Sequence, residues 1–345
     1  MDRRWYSPGA LRFDRRLLLA LASLLVVAAC SGARSRPSTP CMADTECRAD
    51  RICHEGKCRF VEEVLAELAM PPMSEGGEPG AMPRSANGFM GDAAHTGRSE
   101  NRGPARRPSP AWTYQTGARV FASPVTGHDG TVYIGSLDGQ FVALNADGSL
   151  KWRYAAGQKI YPSALVAGSS VIFGTHQKEL VSLSLEGMPR WKLPLQDVVD
   201  ASATLGPDGR VYVVANGAYA VDLLGRLHWH KPTADHVRSA PVIHPARLVI
   251  IGTTEGSLIA LRPDGTVAWK VALGGAIEGA ASIDDDGRIY AGTGRGEIAQ
   301  VDESGKVRWR FKTGDEVRAT PAIARDGTIV VGSYDGNVYA IRSNG

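Results

Sequence analysis

Six tryptophans, Trp112, Trp152, Trp191, Trp229, Trp269 and Trp309, recur through the last two thirds of the chain at steps of 40, 39, 38, 40 and 40 residues. A fixed period of this size marks a fold of stacked units, each too small to bury its own apolar faces alone.

The same phrase surrounds each tryptophan, as FASPVTGHDGTVYIGSLDGQFVALNADGSLKW at 121–152 and VRATPAIARDGTIVVGSYDGNVYAIRSNG at 317–345. In the first unit it predicts a strand opened by small residues at 122–126, then TVYIGS at 131–136, QFVALNA at 140–146 and KWRYAA at 151–156. Asp-Gly pairs introduce the second and third strands. Glycine takes positive φ at little steric cost and primed turns match strand twist, so these units read as antiparallel meanders. Four strands in about 40 residues specify blades packed around a central axis. The expected fold is all-β, a six-bladed β-propeller of four-stranded antiparallel blades.

The ends of the repeat region predict how the ring closes. Gly345 aligns with Gly148, in the turn before the tryptophan-bearing strand, so the sixth blade is short of its outer strand. PAWTYQTG at 110–117 matches LKWRYAAG at 150–157 with no blade body before it. Pairing this segment beside the last three strands would close the ring and remove an aggregation-prone edge. A seventh blade requires strands from residues 85 to 110.

The first 60 residues address location. Residues 1–29 hold five arginines and two aspartates and include an apolar run from Leu17 to Ala29. That run is too short to span a bilayer comfortably and reads as the core of a signal peptide, with general secretion favoured although Arg15 and Arg16 abut it. VAAC at 27–30 resembles the lipobox of bacterial lipoproteins, which implies that Cys30 becomes the first mature residue and carries lipid; Ser31 resembles the outer-membrane sorting pattern. The other four cysteines, Cys41, Cys47, Cys53 and Cys58, crowd into 18 residues. In an oxidising compartment they predict two disulfides, with three connectivities open. Their spacing lacks the tight Cys-x-x-Cys knuckles of a zinc site, and His54 is then a loop residue.

The expected organisation is thus a signal peptide at 1–29, a lipid-anchored Cys-rich knot at 30–60, a short helix and flexible linker at 61–110, and the propeller at 111–345. Within the linker, VEEVLAELAM at 61–70 has helical spacing and ends at Pro71 and Pro72, and 71–110 is rich in Pro, Gly, Ser and Met.

The formal net charge of +3 lies wholly in residues 1–29, and the remainder balances 34 basic against 34 acidic residues. Residues 111–345 hold 23 of each. Such balance lacks the electrostatic footprint of a nucleic-acid binder. His128, His176, His228, His230, His236 and His244 show no metal-ligand spacing, although His228 and His230 flank Trp229 on one face. GTGRGE at 292–297 lies between repeat strands and reads as a turn. No nucleophile elbow or phosphate-cradling loop occurs, so neither cofactor nor metal is expected.

One register is a candidate binding site. Two residues before the small residue that opens each inner strand stand Phe121, Tyr161, Asp200, Arg238, Glu278 and Arg318, which should ring one mouth of the axis. Asp200, Arg238, Glu278 and Arg318 alternate in sign, which fits a structural ring of ion pairs; with Phe121 and Tyr161 beside them, they also fit a rim that grips a peptide or an aromatic-rich partner. The small residues that follow, Ser123, Ser163, Ser202, Ala240, Ala280 and Thr320, are expected to let inner strands converge. The tryptophans should wedge between sheets as packing.

The repeats from 111 to 345 resemble those of pyrroloquinoline-quinone-type propellers. The Asp-Gly turns, VYIGS at 132–136 with LVIIGT at 248–253 and IYAGT at 289–293, the VALNADG strand, and the basic residue beside the tryptophans carry the likeness. GFMGDAAHTG at 88–97 is similar to the lead-in segment of such propellers. The quinone-dependent alcohol dehydrogenases of this family are longer, with an adjacent cysteine pair that this propeller lacks. The non-enzymatic branch, which includes the lipoprotein of the outer-membrane barrel-assembly machinery, is closer in layout. The resemblance implies a monomeric, non-catalytic scaffold or assembly factor that is anchored to the membrane and binds envelope proteins. A reduced quinoprotein or cell-wall-active enzyme, and a sensor or ligand-binding module, are the rival expectations.

Overall fold

The computed structural model describes residues 51–54, 57–60, 88–99 and 107–345. The chain divides into two units, 1–61 and 62–345. In the first, Arg51–His54 and Lys57–Phe60 form an antiparallel hairpin that sets Cys53 opposite Cys58, and Cys58 is disulfide-bonded. Cys30, Cys41, Cys47, the signal segment and the helix expected at 61–70 lie outside the described residues.

Among its described residues the second unit contains six successive antiparallel sheets, five of four strands and one of three. Blade 1 comprises Val125–Thr126, Val132–Gly135, Gln140–Leu144 and Leu150–Ala155. Blade 6 comprises Ala322–Ile323, Ile329–Gly332 and Val338–Ile341. Middle strands such as Ser170–Thr175 are buried along their whole length, whereas outer strands alternate between exposed and partly covered. That contrast is the signature of stacked sheets, in which a middle strand meets a neighbouring blade on each face. Phe141 of blade 1 and Phe173 of blade 2 accordingly stack with centroids 4.0 Å apart.

The tryptophans fix the joints. In each four-stranded blade the ladder between the third and outer strands shifts register beside the tryptophan, and such a bulge re-aims a side chain. Each indole then lies on a glycine in the next blade's last turn: Trp152 on Gly187, Trp191 on Gly225, Trp229 on Gly265, Trp269 on Gly305 and Trp309 on Gly345. Each ring N–H also donates to a carbonyl of that turn, at 2.7–3.1 Å. The packing is therefore turn-directed as well as face-directed.

Trp112 makes the same contact with blade 1, covering Gly148 and donating to Ala146 O at 2.9 Å. Residues 110–117 nevertheless form no strand, and among the described residues no ladder joins them to Val338–Ile341. The expected closing strand is present only as its side-chain half. The seat on blade 1 is the one that an outer strand of blade 6 would take, just as Trp309 of blade 5 sits on Gly345 of blade 6; the ladder itself is not formed.

Of the flexible linker expected through 71–110, residues 88–99 and 107–110 are described, and the first of these stretches is packed in place. Residues 88–99 lie against the inner strands of the propeller. Ala93, Ala94 and Thr96 offer carbonyls to the N–H groups of Ile243, Ile283 and Ile323, in blades 4, 5 and 6. Arg98 reaches Ile323 O, Ala324 O and Asp285, and His95 and Thr96 are buried. Inner strands expose backbone donors toward the axis, and this segment satisfies three of them. Neither 88–99 nor 107–110 contributes a strand, so the described residues contain no seventh blade.

Candidate protein-binding rim

Two sets of loops share one mouth of the propeller: those leading into each inner strand, and the turns between second and third strands. Backbone bonds tie them together, as in His176 N to Lys159 O at 2.9 Å and Tyr334 N to Glu316 O at 2.9 Å. The residues aligned from sequence lie in the first set. The second set supplies His176 and Tyr334, which follow Tyr161 and Arg318 by about 15 residues in the repeat and which the column of loop residues does not contain.

The side chains join into two groups. Phe121 and Tyr161 have centroids 5.5 Å apart, and Tyr161 stacks on His176 at 4.5 Å. His176 Nε2 lies 2.6 Å from Asp200 Oδ1, and Asp200 Oδ2 lies 3.8 Å from Arg238 Nε. A continuous aromatic-to-charged band thus crosses four blades. In the second group Arg318 Nε sits 3.3 Å from Glu278 and 2.7 Å from Glu316, with its guanidinium 5.1 Å from the ring centre of Tyr334. The two carboxylates hold the Arg318 pKa above its usual value, the Glu316 hydrogen bond being the larger influence. The alternating charges therefore pair across two joints, Asp200 with Arg238 and Glu278 with Arg318.

The band is accessible. Phe121 is 61% exposed, and the Arg238 side chain 51%. Exposed aromatic rings and arginine are the residue types that carry contact energy between proteins. Among the described residues no cluster of three or more His, Cys, Asp or Glu side chains could hold a metal. His244 is a structural residue: its Nε2 lies 2.9 Å from Gly287 O, and its Nδ1 accepts from Ala246 N. His228 stands 3.5 Å from Asp222, and His230 stacks on Tyr219.

The small inner-strand residues do more than make room. Ser123 N donates to Ser163 Oγ at 2.9 Å, Ser163 N to Ser202 Oγ at 3.0 Å, and Ala280 N to Thr320 Oγ1 at 3.0 Å. Each hydroxyl stitches one blade to the blade before it.

Repeated four-stranded blades joined by tryptophan-on-glycine contacts define a β-propeller of the pyrroloquinoline-quinone-like repeat class. The chain belongs to the family described as outer membrane protein assembly factor BamB, whose model matches residues 109–264 and 254–345. Among solved structures, BamB from Moraxella catarrhalis is similar at 24% identity over 64% of this chain and 69% of that one, with a TM-score of 0.55. The computationally designed Ika8 protein is similar at 18% identity over 65% of this chain and 70% of that one, with a TM-score of 0.57. These two likenesses speak to the fold. The search of the curated proteins gave no match.

Proposed function

We propose that the protein is a non-catalytic assembly factor of the bacterial outer membrane, a rigid propeller that presents its rim to other envelope proteins. In this reading the chain is exported, Cys30 carries the lipid that holds it to the membrane, and the Cys-rich module and propeller stand in the periplasm or at the cell surface. Membership of the assembly-factor family supports the setting. The observation that carries the binding role is the contiguous band of Phe121, Tyr161, His176, Asp200 and Arg238, exposed in part and spread over four blades. A partner strand or loop lying along it would cover both aromatic rings while keeping the charges paired or hydrogen-bonded. Rigid placement by five packed joints limits the ordering cost of binding.

Photo-crosslinking side chains at positions 121 and 161 test this in intact cells. They should capture a discrete envelope protein, whereas the same group at Glu303, in a turn at the other end of the strands, should not. Equal capture from both positions would remove the rim from the argument.

A further inference from the structure

Residues 88–98 are held on the axis from one side. Carbonyls of Ala93, Ala94 and Thr96 accept from Ile243, Ile283 and Ile323 at 2.8–2.9 Å, along three consecutive blades. Toward blade 1, in contrast, a cavity of about 410 Å³ lies between Met90, Gly97 and Arg98 of the segment and Ser123, Pro124, Val125 and Thr126. Met90 and His95 stand at positive φ, 59° and 54°, a conformation that residues other than glycine keep only where their surroundings impose it. The segment meets the inner edges of the sheets and not their faces, so it can leave the axis without unstacking a pair of blades.

His95 is the residue of this segment whose charge can decide whether it stays. Its Nε2 lies 3.2 Å from Thr204 Oγ1, and the Thr204 hydroxyl donates to Pro241 O at 2.7 Å. A hydroxyl has one proton to give, so Nε2 carries the hydrogen of the neutral ring and Nδ1 is where a second proton would go. Nδ1 is buried and has no hydrogen-bond partner. Phe89 meets the ring edge-on, and Leu165, Ala203 and Leu205 line the same pocket. Asp92 is the charged group that acts on the ring, and its oxygens already accept from the N–H and hydroxyl of Thr96. Arg98 is committed elsewhere, to Asp285 and two carbonyls of blade 6. Burial disfavours the charged ring by more than Asp92 and the Ala281 carbonyl favour it.

We propose that residues 88–98 form a proton-released strap: at neutral pH the segment closes the axis, and protonation of His95 drives it off the inner strands while the blades stay stacked. The seated ring refuses a proton that the released ring, in water, accepts. Release therefore becomes easier as pH falls from about 6.5 toward 4, the values for the free and the seated ring, and the seat has its full strength above that window. Once the strap is off, the N–H groups of Ile243, Ile283 and Ile323 face an open axis, next to the cavity beside blade 1. The strap thus controls entry to the axis. It is separate from the rim and does not depend on the rim reading.

The test is hydrogen exchange followed by NMR on the purified full-length protein at pH 7 and pH 5, with protection factors removing the pH dependence of the intrinsic rate. Protection of the Ile243, Ile283 and Ile323 amides should fall about twentyfold between the two conditions, while the amides of the middle strands Ser170–Thr175 and Val249–Gly252 keep theirs. In His95→Asn the three amides should be equally protected at both pH values. The ring of the parent gives a readout that needs no variant: at pH 5 its shifts should remain those of a neutral imidazole protonated on Nε2. Four results would overturn the proposal: unchanged protection of the three amides; a ring that titrates near pH 6.5 with the three amides still protected, which means that the charge is accommodated in place; an equal fall in the middle strands, which makes the effect a loosening of the whole fold; or a fall that persists in His95→Asn.

Discussion

The indole of Trp229 covers Gly265, whose backbone sits at φ +83°, while its ring N–H donates to Pro263 O at 2.7 Å. A Cβ at position 265 would lie 2.8 Å from the ring. Gly265→Ala therefore combines a left-handed backbone that disfavours alanine with overpacking against an aromatic wall, for a cost of about 2–4 kcal/mol. For a domain of this size the melting temperature should fall by roughly 5–15 °C. Gly209, also at positive φ but with nothing within 4 Å, is the control. Its alanine variant should lose less, and equal losses in a thermal scan would show that only the backbone term matters.

The hydroxyl stitches make a graded prediction. Ser202 Oγ accepts from the N–H of Ser163, and both residues are buried, so Ser202→Ala strands a donor away from water at a cost of about 1–3 kcal/mol. Ser163 Oγ accepts from Ser123, which is exposed. Water can replace that bond, and Ser163→Ala should cost less. Denaturant midpoints of the two variants decide the order; a larger loss from Ser163→Ala would contradict the assignment.

Blade number and strand content were legible because each unit repeats a short local code, Asp-Gly turns between apolar runs with a tryptophan at one end. The rim was half legible. Phe121 and Arg318 share a column with their counterparts, but His176 and Tyr334 come from turns whose proximity arises only when blades fold over. The axial role of residues 88–99 was hidden for a different reason. A segment that satisfies inner-strand donors with its own carbonyls needs no periodic side-chain pattern, so its glycines and alanines read as linker. The seat of Trp112 on Gly148 follows the repeat, since Trp152 sits on Gly187 in the same way; that no ladder joins this segment to Val338–Ile341 among the described residues is not written in the side-chain pattern.

The charged rim should be nearly silent in stability. The Arg238 and Arg318 side chains are about half exposed, at 51% and 44%, and solvent screening leaves such pairs little net stabilisation. Arg238→Ala with Arg318→Ala should leave the melting temperature within a few degrees of the parent, while crosslinking from position 121 to its partner drops. A large loss of stability with undiminished capture would make the rim a structural belt.

His95 gives the propeller an acid sensitivity of its own. Its ring is buried against Phe89 and lies 3.2 Å from Thr204 Oγ1, in the segment that lines the inner strands. Burial pushes its pKa down to about 4 from 6.5, against an opposing pull from the Asp92 carboxylate. Between these values the unfolded chain binds a proton that the folded state refuses, so stability rises with pH across the window and is lost as pH falls from about 6.5 toward 4. The shift corresponds to about 2–3 kcal/mol between pH 7 and pH 4.5. His95→Asn keeps a residue that tolerates the positive φ of 54° at this position and removes the titrating group. Urea unfolding of parent and variant at the two pH values measures the difference. The variant should lose less stability on acidification by about that amount, whereas parallel losses in both proteins would mean that surface carboxylates, and not the residue wedged beside the inner strands, set the acid limit of the fold.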